Sequence, residues 1–251
     1  MVRDIRVHLL PALFEPEEVR GGIAVILDIL RASTTIVHAL ANGAQCVIPT
    51  LTIEDAQSVA RGFAHRGDYL LGGEREGVLI DGFDHDNNPF AYTREVVQGK
   101  TIIFTTTNGT KALLRASAAD RVLIGSFVNL QAVVNVLAED TRPIHLVCAG
   151  TKGKITAEDS LCAGAIIDRL LQEFGRRDDD LPDDQAQLAL AKYLQASVSD
   201  EDFRRSMRNS YGGRNCRRLG FDTQIDRAAT FDLFDIVPEY DGERIFSSAR
   251  A

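Results

Sequence analysis

The chain has 251 residues, 45% of them hydrophobic and 25% charged, with a formal net charge of −8. That is the composition of a globular protein long enough for one large domain or two small ones. The acidic balance argues against nonspecific binding to nucleic acid or an anionic membrane, which needs a basic surface, and leaves room for a small anion held by local cations.

In chain order, the N-terminus "MVRDIRVHLLPALF" carries charges and lacks the apolar core and cleavage site of a signal peptide. No run approaches the roughly 18 uninterrupted apolar residues of a membrane span, so a cytoplasmic location is expected. Residues 5–9 read as a short strand. Residues 23–29 are an apolar strand that ends in Asp28, Arg31, Ser33, Thr34 and Thr35, followed by the helix "TTIVHALANGA". Shorter strands are predicted at 46–48 and 69–71. The strand-loop-helix device recurs at 101–104 before "TTTNGTKALLRASAA", at 122–124 before "GSFVNLQAVVNVLAED", and at 144–147 before "CAGTKGKITAEDSLCAG". The charge-dense segment 175–187 reads as an exposed connection, and a helix is expected over about 185–196. The Ser199-Asp200 pair reads as the N-cap of a further helix. Cys46, Cys148, Cys162 and Cys216 are widely spaced without a CxxC pair and are expected to be free thiols.

Strands alternating with helices predict an α/β fold, a layered αβα arrangement around a largely parallel or mixed sheet. In such sheets ligands bind beyond the carboxyl ends of the strands, where all four polar loops would project. The segments "TTIVHAL…VIPTLTIEDA" and "TTNGTKAL…VLIGSFVNLQA" share an order of threonine pair, helix, strand and second helix. This suggests an internal duplication giving two similar lobes, about 1–98 and 99–251, within one domain.

The loops carry the chemistry. Asp28 at a strand end suits either capping of nearby amides or a cation such as Mg²⁺, which prefers oxygen ligands. Arg31 with Ser33, Thr34 and Thr35 at a helix N-terminus makes an anion cradle. Thr106, Thr107, Asn108, Gly109 and Thr110 repeat the device around an Asn-Gly turn. "GGEREGVLIDGFDHDNNPF" offers Glu74, Arg75, Asp84 and Asn88 to the same edge, and its spacing excludes a zinc motif. Glu158 and Asp159 open a helix, where the macrodipole favours one acid. Arg208, Arg214, Arg217 and Arg218 surround a Gly-Gly pair that reads either as an anion clamp or as a surface helix and turn.

The ordered set "DILRASTT", "GGEREG", "GFDHDNNP", "TTTNGT", "GSFVN", "CAG" and "AEDSLCAG" resembles the 2-phosphosulfolactate phosphatase family of coenzyme M biosynthesis, over about residues 22–220. The resemblance implies an α/β fold and Mg²⁺-dependent hydrolysis of (2R)-2-phospho-3-sulfolactate to 3-sulfolactate and phosphate. The family usually carries Gly-Asn-Ser-Pro where this chain reads Asp86-Asn87-Asn88-Pro89, which bears on substrate identity. Asp28, Glu74, Asp84 and Asp159 are the candidate catalytic and metal-binding acids. Arg31, Ser33, Thr34, Thr35, Arg75, Asn88, Thr106, Thr107, Asn108, Gly109 and Thr110 are the candidate substrate binders. Attack by a carboxylate-activated water ranks above an aspartyl-phosphate route, because Leu30 stands where an Asp-x-Asp phosphatase has its second acid. The rival readings are a phosphatase of another small phosphorylated hydroxy acid and a non-catalytic anion-binding module of the same fold. Apolar helices in such a fold also suit a homodimer.

Overall fold

A computed structural model describes residues 4–175, 181 and 183–247. A strand covered by helices on both faces must be apolar throughout, and this is how β2 (Ile23–Leu27) is built. Ile23, Val25 and Leu27 join one core cluster while Ala24 and Ile26 join another on the opposite face. The same unbroken burial marks β5 (Thr101–Thr105) and β7 (Ile144–Cys148). The remaining long strands are β1 (Ile5–His8), β3 (Cys46–Thr50), β4 (Tyr69–Gly73) and β6 (Arg121–Gly125). Two short strands that the sequence pattern does not announce, β8 (Pro238–Tyr240) and β9 (Ile245–Ser247), complete a nine-stranded sheet of order β1-β7-β2-β6-β8-β9-β3-β5-β4. The fold is therefore α/β with a mixed, mostly parallel sheet.

The helices in chain order are α1 (Ala32–Ala41), α2 (Ile53–Arg61), α3 (Arg94–Val97), α4 (Gly109–Arg115), α5 (Leu130–Glu139) and α6 (Ala157–Glu173). They are followed by α7 (Asp184–Ala196), α8 (Asp200–Asn209), α9 (Tyr211–Arg218) and α10 (Asp222–Ala228). The order β-α-β-α-β occurs twice, as β2-α1-β3-α2-β4 and as β5-α4-β6-α5-β7. The first strand of each set is traded: β2 lies between β7 and β6, and β5 lies between β3 and β4.

The parallel groups β1-β7-β2-β6 and β3-β5-β4 are joined through the antiparallel pairs β6–β8, β8–β9 and β9–β3. They therefore run in opposite senses, and in a flat sheet their carboxyl ends would lie on opposite edges. Twist of roughly 20–25° per strand pair accumulates to about 100–125° over the five steps from β2 to β5. The carboxyl ends of the two groups do converge, since Asp28 after β2 and Thr107 after β5 line one cavity.

Ser199 caps α8 by accepting from Asp202 N–H at 3.1 Å, as its position predicts. Asp183 caps α7 through the amides of Gln185 and Ala186. The charged segment 175–187 falls partly outside the described residues. The Gly-Gly pair does not form a turn: Gly212 and Gly213 open α9. A side chain at Gly212 would run into the Glu158 carboxylate, and one at Gly213 into Met207 O. These two glycines serve close helix packing. All four cysteines are free and buried. Among the described residues no helix is long and apolar enough to cross a membrane.

Candidate active site

The carboxyl ends of β2, β4, β5 and β7 meet at a cavity of about 580 Å³. Its wall includes Asp28, Arg31, Glu74, Arg75, Asn87, Thr107, Asn108 and Lys152, and α9 closes it with Tyr211, Asn215 and Arg218. The volume is in the range of small-molecule sites. The loop after β6 does not take part. Ser126 is fully buried there, and its Oγ lies 2.9 Å from Thr34 Oγ1.

Asp28 follows directly on β2 and is 9% exposed. Its Oδ1 accepts the Ala32 amide at 3.3 Å, and its carbonyl accepts the Ser33 amide at 2.8 Å. The residue thus caps α1, while Oδ2 accepts no hydrogen bond from the described residues. Burial raises the Asp28 pKa well above the ordinary carboxylate value, and the charge of Asp159 adds to the effect.

The other predicted acids are occupied. Glu74 Oε1 accepts both the amide and the hydroxyl of Thr107 at 3.0 Å, and Oε2 accepts the Gly77 amide at 2.6 Å. Asp159 Oδ1 accepts the Ile29 amide at 2.9 Å, and Oδ2 accepts Gly150 N–H at 3.0 Å and the Thr156 hydroxyl at 2.8 Å. Burial lifts Asp159 to about 6 despite these donors. The two acids have matching jobs: each holds the amide two residues past the end of a central strand, Thr107 after β5 and Ile29 after β2. Both are braces for the loops that line the cavity. Asp84 lies outside the cavity, where its carboxylate accepts Leu71 N–H at 2.8 Å and pairs with the exposed Arg66.

Among the substrate-binding candidates, Arg31, Arg75, Thr107 and Asn108 line the cavity. The structure places the rest elsewhere. The first amides of α1 are taken by Asp28, so this helix end is not the free anion cradle that the hydroxyl cluster suggested. Ser33 Oγ accepts Asp28 N–H and donates to Ile26 O, Thr34 Oγ1 donates to Ile29 O, and Thr35 Oγ1 donates to Asn87 O. Ser33, Thr106, Gly109 and Thr110 lie behind Asp28, around a separate, mostly apolar hollow of about 20 Å³. Asn88 accepts Phe90 N–H and caps the short turn that follows, which a serine would also do. Asp86, the other departure from the family pattern, reaches the site indirectly through an ion pair with Arg31 at 3.3 Å.

Several lining residues escape sequence reasoning. Asn87 is 3% exposed, lines the cavity, and its Oδ1 has no hydrogen-bond partner. Its neighbour Asn88 carries the same side chain, and only the turn geometry separates their roles. Glu158, which the sequence offers only as a helix-opening acid, is not part of the lining; it is buried, gives Oε1 to the Gly212 amide at 3.0 Å, and leaves Oε2 unpartnered. Burial and the charge of Asp159 push it to about 7. Tyr211 and Asn215 of α9 line the cavity as well, whereas Lys152 lies in the marked loop after β7 and Arg218 is one of the arginines that the sequence offers as an anion clamp.

Among the described residues no three acids, imidazoles or thiols converge as a ready metal cage. Mg²⁺ does not require one, since it commonly takes one or two carboxylates with water and substrate phosphate completing its shell. The free oxygen of Asp28, in a buried neighbourhood that also contains Glu74, Glu158 and Asp159, fits a divalent cation.

The sequence model of the 2-phosphosulpholactate phosphatase family matches residues 8–243. The chain is 41% identical over 231 residues to a "Probable 2-phosphosulfolactate phosphatase" of Symbiobacterium thermophilum, covering 89% of this chain and 93% of that protein. It is 37% identical over 226 residues to the protein of the same name in Caldicellulosiruptor saccharolyticus, covering 88% and 90%. For the Clostridium beijerinckii protein of that name, identity is 39% over 227 residues, covering 90% and 92%. With a match that spans both strand groups and every loop of the cavity, the chain belongs to the 2-phosphosulpholactate phosphatase family.

Proposed function

We propose that the protein is a Mg²⁺-dependent phosphoric monoester hydrolase that converts (2R)-2-phospho-3-sulfolactate to 3-sulfolactate and phosphate. The observation that carries this reading is a buried Asp28 with a free carboxylate oxygen in a cavity lined by Arg31, Arg75, Lys152 and Arg218. An acid with a free oxygen among four cations, with Glu74 already occupied by Thr107 and Gly77, suits a metal ion bound together with a polyanion. Family membership supplies the substrate.

Asp28 would hold Mg²⁺, which when bound supplies Lewis-acid neutralisation of the phosphoryl oxygens. The chain's own residues do the rest. Arg31 is fixed by Gln224 at 2.7 Å and Gly77 O at 2.7 Å, and Arg75 by Thr105 Oγ1 at 2.8 Å. Guanidinium groups held in this way stabilise developing negative charge without reorganising. Glu74 and Asp159 keep the loops at Thr107 and Ile29 in register with the site. The unpartnered Asn87 carboxamide is the buried polar group available to orient a water or a substrate oxygen. Tyr211, Asn215 and Arg218 of α9 cover the cavity and limit bulk water.

The test is phosphate release from 2-phospho-3-sulfolactate with Mg²⁺ and with excess EDTA, in wild type and Asp28→Asn. Turnover is expected to stop with EDTA and to fall at least about a hundredfold in the variant. Full activity in Asp28→Asn would remove Asp28 from the mechanism, and an inactive but folded wild type would overturn the substrate.

A further inference from the structure

Among the described residues four cations line the cavity: the fold occupies Arg31 and Arg75 fully, and Arg218 donates to Asn215 Oδ1 at 2.8 Å. Arg31 donates to Gly77 O, Gln224 and Asp86, and stacks over Phe221 at 4.7 Å. Arg75 donates to Glu74 O, Leu51 O and Thr105 Oγ1. Lys152 is held far more loosely. Its ammonium lies 3.7 Å from Glu76 Oε1, with the two side chains 58% and 83% exposed. An ion pair so long and so wet adds little stability.

This pair joins two matching turns at the cavity mouth. After β4, Arg75 and Val78 exchange backbone hydrogen bonds around Glu76 and Gly77, whose φ values are 55° and 87°. After β7, Thr151 and Lys154 do the same around Lys152 and Gly153, with φ values of 52° and 71°. Two successive positive φ angles make each a tight primed turn that presents its tip residue outward. The Lys152 backbone is further tied down by Asn108, whose Oδ1 accepts its amide at 3.2 Å. A fixed backbone with an uncommitted ammonium is the arrangement of a ligand-reading side chain.

We infer that Lys152 is a specificity-determining residue that exchanges Glu76 for the sulfonate of the substrate. The inference rests on the phosphatase reading above and deepens it. In 2-phospho-3-sulfolactate C2 bears the phosphoryl oxygen, the carboxylate and the sulfomethyl group. With the phosphoryl group over Asp28, the sulfonate, one methylene farther from C2 than the carboxylate oxygens' carbon, is the anion that reaches farthest toward the mouth. Lys152 waits there, with Glu76 as a placeholder that keeps the ammonium from being left alone when the cavity is empty.

The experiment compares kcat and KM for 2-phospho-3-sulfolactate and 2-phospholactate, which lacks the sulfonate, in the presence of Mg²⁺. Wild type, Lys152→Met, Lys152→Arg, Arg218→Met and Glu76→Gln are measured, each checked for an unchanged thermal unfolding midpoint. In Lys152→Met the ratio of kcat/KM between the two substrates is expected to fall about tenfold or more, through KM, as a lost charge-assisted contact requires. Lys152→Arg should retain most of the preference, and Glu76→Gln should lower KM for the sulfonated substrate severalfold at low salt. The inference is overturned if Lys152→Met leaves the ratio intact, if it weakens both substrates alike, or if Arg218→Met collapses the ratio instead. A wild type that hydrolyses neither compound, or shows no preference, would sink the substrate assignment itself, an outcome distinct from a failure of Lys152.

Discussion

Asp28 is only half committed to the fold. Its main-chain carbonyl and Oδ1 hold the first turn of α1, a structural task that any capping acid performs, while Oδ2 accepts no hydrogen bond from the described residues and is the oxygen that the proposed function assigns to the metal. The space beside Oδ2 is kept open by the absence of a side chain at residue 109. A Cβ there would lie 2.8 Å from Asp28 Oδ2 and 3.1 Å from the Ala32 Cβ. Gly109→Ala is therefore expected to displace the carboxylate and lower kcat by about tenfold to a hundredfold, since misplacement of a reacting group by an ångström has effects of that size. Steady-state kinetics beside an unfolding curve checks this; unchanged kcat in a folded variant would mean that α4 yields rather than Asp28. The sequence motif flagged Gly109 for its turn, whereas the structure gives it a steric role at the metal-binding candidate.

At the scale of elements, the edge strand β1 is tied to β7 by a buried imidazole pair as well as by its ladder. His8 Nε2 lies 3.1 Å from His145 Nδ1, and the two rings meet edge to edge, nearly coplanar, with centroids 5.3 Å apart. Burial, followed by the neighbouring His145, lowers the His8 pKa from 6.5 to about 4, and burial lowers that of His145 as well. Such a histidine is neutral in the fold and protonates more readily once unfolded. Its contribution is fully present above the unfolded pKa and is lost as pH falls from 6.5 toward 4. From this histidine alone, about 2 kcal/mol should disappear between pH of about 7.5 and about 5. Urea unfolding of wild type and His8→Gln at the two pH values measures the difference, and an equal acid loss in both would rule His8 out as its source.

For the whole molecule, the exchange of β2 and β5 decides the cooperativity. Each central strand is flanked on both sides by strands of the other repeat-like set, so neither set can bury its own sheet alone. The strand groups therefore do not coincide with the expected sublobes 1–98 and 99–251, the internal duplication stays a proposal, and the arrangement predicts one unfolding transition. Far-ultraviolet circular dichroism and tyrosine fluorescence should give coincident urea curves. Two separated transitions would show that the strand groups β1-β7-β2-β6 and β3-β5-β4 are independent units. The same exchange explains why the cavity has parts from β2, β4, β5 and β7: these are the central strand and one outer neighbour in each group.

By itself the sequence determined the strands with unbroken apolar runs, the helices with capping residues such as Ser199, and the α/β class, because these follow from local periodicity and turn chemistry. It also marked the loops after β2, β4, β5 and β7 by their hydroxyl, acid and glycine clusters, but by the same signal it marked the loop after β6, where Ser126 is buried and the cavity is not reached. Which groups in those loops stay free was decided by tertiary structure. Glu74 and Asp159 look as reactive as Asp28 along the chain, and only folding supplies the amides of Thr107, Gly77, Ile29 and Gly150 that occupy them. The hydroxyls of Ser33 and Thr34 are likewise turned to backbone carbonyls by the first turn of α1. The joining hairpin β8–β9, the opposed senses of the two strand groups and the placing of α9 against the cavity, where the sequence left a clamp or a surface helix open, are long-range outcomes. They depend on pairing energies and accumulated twist between segments distant in the chain, which no local pattern encodes.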